Sequence, residues 1–162
     1  RIGGGMVDTV MATCSSWAPL PSRLEAGTPN YAGAIALSAA IDYLDALGRS
    51  DVAAYEQSLI AYAEDRLSTI GGLRILGHPP ERAGAISFVI NGFHSYDMSS
   101  VLDKFGIALR SGTHCAQPAL RSFGVSEALR LSVAFYNTYQ EIDYACTAVR
   151  KARDMLKKWM TK

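Results

Sequence analysis

The sequence lacks any long apolar run, any strong net charge and any regular set of cysteines. No stretch reaches the roughly 20 apolar residues that cross a bilayer, so no membrane partner is expected. The formal net charge is only +1, which gives no electrostatic reason to expect nucleic acid. Cys14, Cys115 and Cys146 match neither a metal-ligand spacing nor a secreted disulfide framework. We therefore expect a cytoplasmic, reducing setting and no metal.

The remaining composition is that of a folded domain. The chain has 162 residues, of which 49% are apolar and 19% charged, so it can bury a core. Its first residues, Arg-Ile-Gly-Gly-Gly-Met, form neither a signal peptide nor an initiator start. The sequence is interpreted as beginning partway through a longer protein.

The apolar periodicity predicts an α+β chain. Residues 1–30 are rich in Gly, Ser, Pro and Thr, and predict loops with one short strand. Residues 32–47 predict a helix that is apolar on more than one face, as expected of a helix buried between two bodies. The later predicted elements are a helix at 51–70, strands at 73–76 and 85–90, a helix from 95 or 96 to about 105, strands at 107–110 and 129–134, and a helix at 139–159. Helices on one face of such a sheet make a two-layer α+β domain.

The sequence also predicts the caps of two helices and the inward face of the last one. Thr138 is predicted to cap the last helix, and Ser95 or Asp97 the helix before it. On the last helix, the predicted inward residues are Ile142, Ala145, Val149 and Met155, with Cys146 on the same apolar side.

The most informative segment is Arg-Ser-Gly-Thr-His-Cys-Ala-Gln-Pro at 110–118, predicted to be a loop. Arg110 and His114 are cationic neighbours of Cys115, and such neighbours favour the nucleophilic thiolate. A loop would also leave the sulfur accessible. The alternative is that Cys115 is a small core residue, the usual fate of a free cysteine.

Four segments resemble group II cysteine desulfurases, which belong to the class V aminotransferases of pyridoxal-phosphate (PLP) fold type I. Residues 110–115 are similar to an R-x-G-x-x-C signature, and residues 130–138 to R-x-S-x-x-x-Y-N-T. Upstream, residues 23–29 resemble R-x-E-A-G-T-P, and residues 3–6 resemble a preceding glycine-rich run. The motifs occur in the family's order and span nearly the whole chain. The resemblance implies the small C-terminal domain of such an enzyme.

The resemblance implies a role for each matching residue. Cys115 would attack the sulfur of L-cysteine held on PLP, giving L-alanine and a persulfide. Arg130 would pair with the substrate carboxylate, and Arg110 with that carboxylate or the thiolate. Thr28 and Gly27 would contact the cofactor phosphate of the neighbouring subunit, which implies a homodimer. A catalytic role for His114 stays open.

The resemblance also shows what is missing. The family's Schiff-base lysine precedes the glycine-rich run, whereas the lysines here are Lys104, Lys151, Lys157, Lys158 and Lys162. We therefore interpret residues 1–30 as a remnant of the large PLP-binding domain and residues 31–162 as the small domain. The chain alone is expected to be inactive. Its implied partners are the missing N-terminal domain and a sulfur-accepting relay protein.

Two alternatives stay open on the sequence alone. One is a related PLP aminotransferase or selenocysteine lyase, because cysteine and selenocysteine differ by one atom. The other is a non-catalytic sulfur-carrier or interaction module that keeps Cys115 without a cofactor domain.

Overall fold

The computed structural model describes residues 3–160 and divides the chain into two compact units, Arg1–Gly48 and Arg49–Lys162. Residues 1, 2, 161 and 162 lie outside the described part, so the start of the predicted 1–30 segment and Lys162 receive no structural account. The predicted division at residue 30 concerns the domains of a longer protein and stays a prediction.

The first unit begins with a hairpin. Strands β1 (Val7–Val10) and β2 (Ser15–Trp17) pair antiparallel, with Val7 opposite Trp17. A short 3₁₀ helix follows at Ser22–Leu24. The sequence predicted one strand here. The second strand was missed because β2 has only three residues, two of them serine, and so carries almost no alternating pattern.

Helix α1 (Tyr31–Leu47) completes the first unit. Asn30 caps it by accepting the N–H of Gly33 at 2.9 Å, and Gly48 ends it with φ 82°. No residue of α1 is buried in this chain, although its apolar faces predict a helix enclosed between two bodies. Large apolar side chains stay exposed along it: Tyr31, Ile35, Leu37, Ile41, Tyr43 and Leu47.

In residues 49–160, the described part of the second unit, four helices combine with one antiparallel sheet. The helices are α2 (Arg49–Ser68), α3 (Ser95–Asp103), α4 (Gln117–Ser122) and α5 (Tyr139–Met160). The strands are β3 (Leu73–Ile75), β4 (Ala85–Ile90), β5 (Arg110–Gly112) and β6 (Ala128–Ser132). Their order is β3-β4-β6-β5, and each neighbouring pair is antiparallel. The predicted α+β class with a short antiparallel sheet is confirmed.

The main core lies between one face of this sheet and the helices α2, α3 and α5. Alternate residues of β4 point into it, and Phe88 is fully buried there. Burial of a side chain of this size stabilises the fold by about 1.5–3 kcal/mol. Leu59, Ala63 and Leu67 lie at helical spacing on α2 and are buried in this core. These three helices fix the orientation of the sheet.

A smaller cluster lies on the opposite face of the sheet. It contains Leu76, Leu120 of α4 and Ala128 of β6, with Val89 packed against it. In their strands, Ala128 and Val89 are next to residues of the main core. Their side chains therefore project from the opposite face of the sheet. The short helix α4 is thus fixed to the face that the three long helices leave uncovered.

The segment between α3 and α4 differs from the prediction. Residues 107–109, expected to be a strand, do not pair, and the N–H of Ile107 instead donates to the Leu102 carbonyl at the end of α3. Pairing begins at Arg110, so β5 occupies the start of the expected 111–118 loop. Helix α4 was also missed. Pro118 lies in its first turn, a position where proline is favoured.

The helix caps give one confirmed and one wrong prediction. At α5, Thr138 Oγ1 accepts the Glu141 N–H at 3.2 Å, while Glu141 Oε2 accepts the Thr138 N–H at 2.9 Å. At α3, the N–H of Ser95 donates 2.6 Å to Glu127 Oε1. The cap of α3 therefore comes from a carboxylate 32 residues away, which no local pattern reveals.

The inward face of α5 is confirmed except at one position. Ile142, Ala145 and Val149 are buried, but Met155 is 37% exposed and Leu156 takes the inward position. Cys146 is fully buried on this face, and burial raises the pKa of its thiol.

Candidate active site

Two arginines lie opposite each other across the last strand pair. Arg110 of β5 is the register partner of Arg130 of β6, and directly paired residues project from the same face of a sheet. Leu129 and Leu131 belong to the main core, so Arg130 between them projects from the other face. The two guanidinium groups therefore share the sheet face that lies away from the main core.

Neither of these arginines forms an ion pair with a carboxylate among residues 3–160. Arg130 Nε is buried and has no hydrogen-bond partner in that range. Like charges placed directly opposite each other destabilise a strand pair. A planar guanidinium is also well suited to bind a carboxylate through two parallel hydrogen bonds. The pair is thus a site that an anionic ligand would stabilise.

Cys115 lies beside Arg110 and is exposed. Arg110 Nη2 donates towards Cys115 Sγ across 4.0 Å. A guanidinium at this distance attracts a sulfur that carries negative charge. Cys115 is therefore not a core residue, in contrast to Cys146, and the core alternative for it is excluded.

The backbone that presents this thiol is unusual. His114 has φ 53° and Cys115 has φ 57°, and within the described residues they are the only non-glycine residues with positive φ. The left-handed region costs an L-residue about 1–2 kcal/mol. The turn is closed by a 2.9 Å bond from the Ala116 N–H to the Thr113 carbonyl, and it leads directly into α4.

His114 connects the turn to the sheet. Its Nε2 lies 2.9 Å from the Ala128 carbonyl oxygen, which can only accept, so Nε2 carries the hydrogen. Burial, together with the charges of Arg110 and Arg130, lowers the pKa of His114, while the bond to Ala128 acts in the opposite direction. The ring is therefore neutral at physiological pH. Its Nδ1 is buried without a partner among the described residues.

Gly27 and Thr28, the predicted phosphate contacts, lie in the first unit. They form an exposed bend before α1, where the Gly27 N–H donates 2.8 Å to the Gly4 carbonyl. Gly27 has φ 83°, a conformation for which glycine is favoured. Their role stays a prediction, as do the roles of the other site residues.

The structure brings Arg110, His114, Cys115 and Arg130 together in the second unit. Sequence reasoning missed the cross-strand pairing of the two arginines, because the register of β5 depends on where pairing begins. It also missed the Ala128 carbonyl as the partner of His114, since a backbone acceptor leaves no signal in the sequence.

Within residues 3–160 there is no group of side chains that could hold a metal ion. No helix in that range is long and apolar enough to cross a membrane.

The fold and this geometry define a class of protein: an α+β domain that presents an exposed thiol beside Arg110, whose partner across the strand pair is Arg130. The aminotransferase class-V family model matches residues 1–145, and the chain belongs to that family. Cysteine desulfurase from Escherichia coli O127:H6 is 42% identical over 155 residues, which cover 95% of this chain.

Solved structures agree with this assignment. The cysteine desulfurase CsdA from Escherichia coli superposes with a TM-score of 0.80 at 38% identity, over 94% of this chain and 38% of that one. A C-DES mutant with glycine covalently linked to its PLP cofactor, 18% identical, superposes with a TM-score of 0.68 over 93% of this chain and 37% of that one, which supports the fold. The chain spans 38% of the length of the curated Escherichia coli relative.

Proposed function

We propose that this chain is the C-terminal part of a PLP-dependent cysteine desulfurase in which Cys115 accepts sulfur from L-cysteine. The observation that carries the proposal is the exposed Cys115 thiol, 4.0 Å from the Arg110 guanidinium. The identity to cysteine desulfurases supports it. In the whole enzyme, residues 1–30 would belong to the large domain and residues 31–162 to the small domain.

The proposed chemistry uses Cys115 as the nucleophile. Its thiolate attacks the sulfur of the substrate, a sulfur–sulfur bond forms and the bond from that sulfur to the substrate carbon breaks. The carbon takes up a proton and leaves as L-alanine, while the sulfur stays on Cys115 as a persulfide. The persulfide then passes its outer sulfur to the thiol of a sulfur-acceptor protein.

Arg110 and Arg130 would hold the carboxylate of the substrate. A carboxylate between two guanidinium groups removes the repulsion of the bare pair and fixes the orientation of the substrate. Selenocysteine carries the same carboxylate and would fit the same groups, so this part of the site does not discriminate between the two substrates.

PLP, when bound, supplies the electron sink that allows the carbon–sulfur bond to break. The residues of this chain would contact only part of that cofactor. Thr28 would offer its hydroxyl to the cofactor phosphate across a homodimer interface, and Gly27, whose N–H is bonded to the Gly4 carbonyl, would shape the bend that presents it. The described lysines lie at the end of α3 or on α5, helices that cover the main-core face of the sheet, away from the arginine pair. We therefore expect the lysine from the large domain and no activity from this chain alone.

A location in the reducing cytoplasm fits this chemistry. All three cysteines are free, and two of them are exposed. An exposed persulfide-forming thiol requires a compartment in which disulfides do not block it.

The experiment is to join this chain to the upstream segment of a relative, add PLP and L-cysteine, and measure alanine and sulfide release. Cys115→Ala should abolish sulfide release and leave the absorbance of the bound cofactor unchanged. Cys14→Ser is the matched control, because it removes the other exposed thiol, and it should keep full activity. Alanine release by Cys115→Ala at the wild-type rate would assign the chain to another branch of PLP enzymes.

The sulfur-carrier alternative is tested on the chain alone. A carrier that works without a cofactor domain would take labelled sulfur from a persulfide donor and pass it to an acceptor thiol at a useful rate. We expect no turnover from the chain by itself.

A further inference from the structure

Within residues 3–160, the turn that carries Cys115 is bonded to strand β6 through the side chain of His114. We infer that His114 is a positioning residue, which holds the Cys115 thiol against the Arg110 guanidinium by fixing the turn to strand β6. This inference rests on the proposed role of Cys115. It concerns a residue whose role the sequence left open.

The backbone itself calls for such an anchor. His114 and Cys115 are consecutive residues in the left-handed region, which is uncommon for non-glycine residues. Without a restraint, such a turn would relax towards right-handed or extended conformations. A relaxed turn would carry Sγ away from Arg110 Nη2, because both Cα–Cβ bonds would be redirected.

The anchoring point is rigid. Ala128, whose carbonyl accepts from His114 Nε2, is fully buried and lies in β6 opposite Gly112 of β5. The same two strands carry Arg130 and Arg110. The histidine therefore ties the turn that carries the thiol to the sheet that positions both arginines.

The other ring nitrogen makes no competing bond. Nδ1 is buried without a partner in the described part of the chain, so the ring is bonded to the sheet through Nε2. The neutral state of the ring also leaves Arg110 as the cation that contacts the sulfur.

The test measures the reactivity of Cys115 in this chain. In a Cys14→Ser background, Cys115 is the one exposed thiol, since Cys146 is buried. The second-order rate constant for iodoacetamide is measured at constant pH for His114→Ala, His114→Gln and Arg110→Met. We expect His114→Ala to lower it roughly five- to tenfold, the range expected when one nearby charge stops acting on a thiolate. His114→Gln keeps an N–H donor and should restore most of the rate.

The decisive comparison is the double variant. If His114 acts through Arg110, then adding His114→Ala to Arg110→Met should lower the rate little further, so that the two effects are strongly non-additive. Independent effects that multiply would overturn the inference, as would a wild-type rate in His114→Ala. His78→Ala, which removes an exposed histidine paired with Glu64, is the control and should leave the rate unchanged.

Folding is checked by the urea midpoint of each variant. If His114→Ala does not fold, His114→Gln is compared with Arg110→Met instead. A His114→Gln variant that folds but reacts as slowly as Arg110→Met would contradict the inference that the N–H donor of His114 positions the thiol. The alkylation assay needs neither cofactor nor turnover. A coupled His114–Arg110 effect in a protein whose Cys115→Ala form still releases alanine would uphold the inference and reject the proposed function.

Discussion

At the scale of single residues, the site combines features that folding alone would disfavour. Two like charges lie opposite each other on β5 and β6, and two consecutive non-glycine residues adopt left-handed backbone conformations. Such local costs persist where the surrounding structure enforces them, and they concentrate at functional sites. Their coincidence around one exposed thiol is the strongest structural support for placing the chemistry at Cys115.

Arg130→Met tests whether the arginine pair is a cost to stability. Replacing one guanidinium by an apolar side chain removes the repulsion from Arg110, so we expect the free energy of unfolding to rise by about 0.5 kcal/mol at low salt. The gain should shrink at high salt, which screens the pair. Urea unfolding at two ionic strengths measures it. Arg121→Met on α4, which removes an arginine outside this pair, is the control, and a salt-independent loss of stability in Arg130→Met would contradict the interpretation.

At the scale of elements, the sequence predicted best where burial imposes a period. Strand β4 has the predicted bounds because its residues alternate between buried and half-buried positions, and the predicted helix α2 buries Leu59, Ala63 and Leu67 at helical spacing. Prediction failed where the start of a strand or the cap of a helix depends on residues that are distant in the sequence. Pairing of β5 starts at Arg110 rather than at residue 107, and α3 is capped by Glu127 rather than by its own sequence. The residues of the site could be named, but not the register that brings Arg110 opposite Arg130.

Gly84→Ala tests the junction at which β4 and β6 begin to pair. A Cβ at residue 84 would lie 2.5 Å from the Val133 carbonyl oxygen, and the N–H of Val133 donates to the Gly84 carbonyl at 2.8 Å. The backbone must shift to relieve this contact, so we expect a loss of about 1–3 kcal/mol in the free energy of unfolding. Gly71→Ala is the control, because its Cβ would meet no atom closer than 3.6 Å. Equal urea midpoints for the two variants would contradict this account.

At the scale of the whole molecule, the two units differ in how well they cover their apolar residues. The second unit has a continuous core, whereas Met6 is the one buried hydrophobic residue in the described part of the first unit. Eleven large apolar side chains of that unit are exposed: Val10, Met11, Trp17, Leu20, Leu24, Tyr31, Ile35, Leu37, Ile41, Tyr43 and Leu47. Exposed apolar surface of this extent marks an interaction site or an aggregation liability. In the proposed enzyme, the large domain would cover it.

The last prediction follows from that exposed surface and concerns association of the chain. Ile35 is 70% exposed and Ile41 is 40% exposed on α1, and burial of such side chains between copies would be favourable by about 1.5–3 kcal/mol each. We therefore expect the purified chain to self-associate, and Ile35→Glu combined with Ile41→Glu to shift it towards monomer in sedimentation velocity. Ser38→Glu is the matched control, because it adds charge to the same exposed helix without removing an apolar side chain. If Ser38→Glu dissociates the chain as fully as the double variant, charge repulsion rather than apolar burial governs the association.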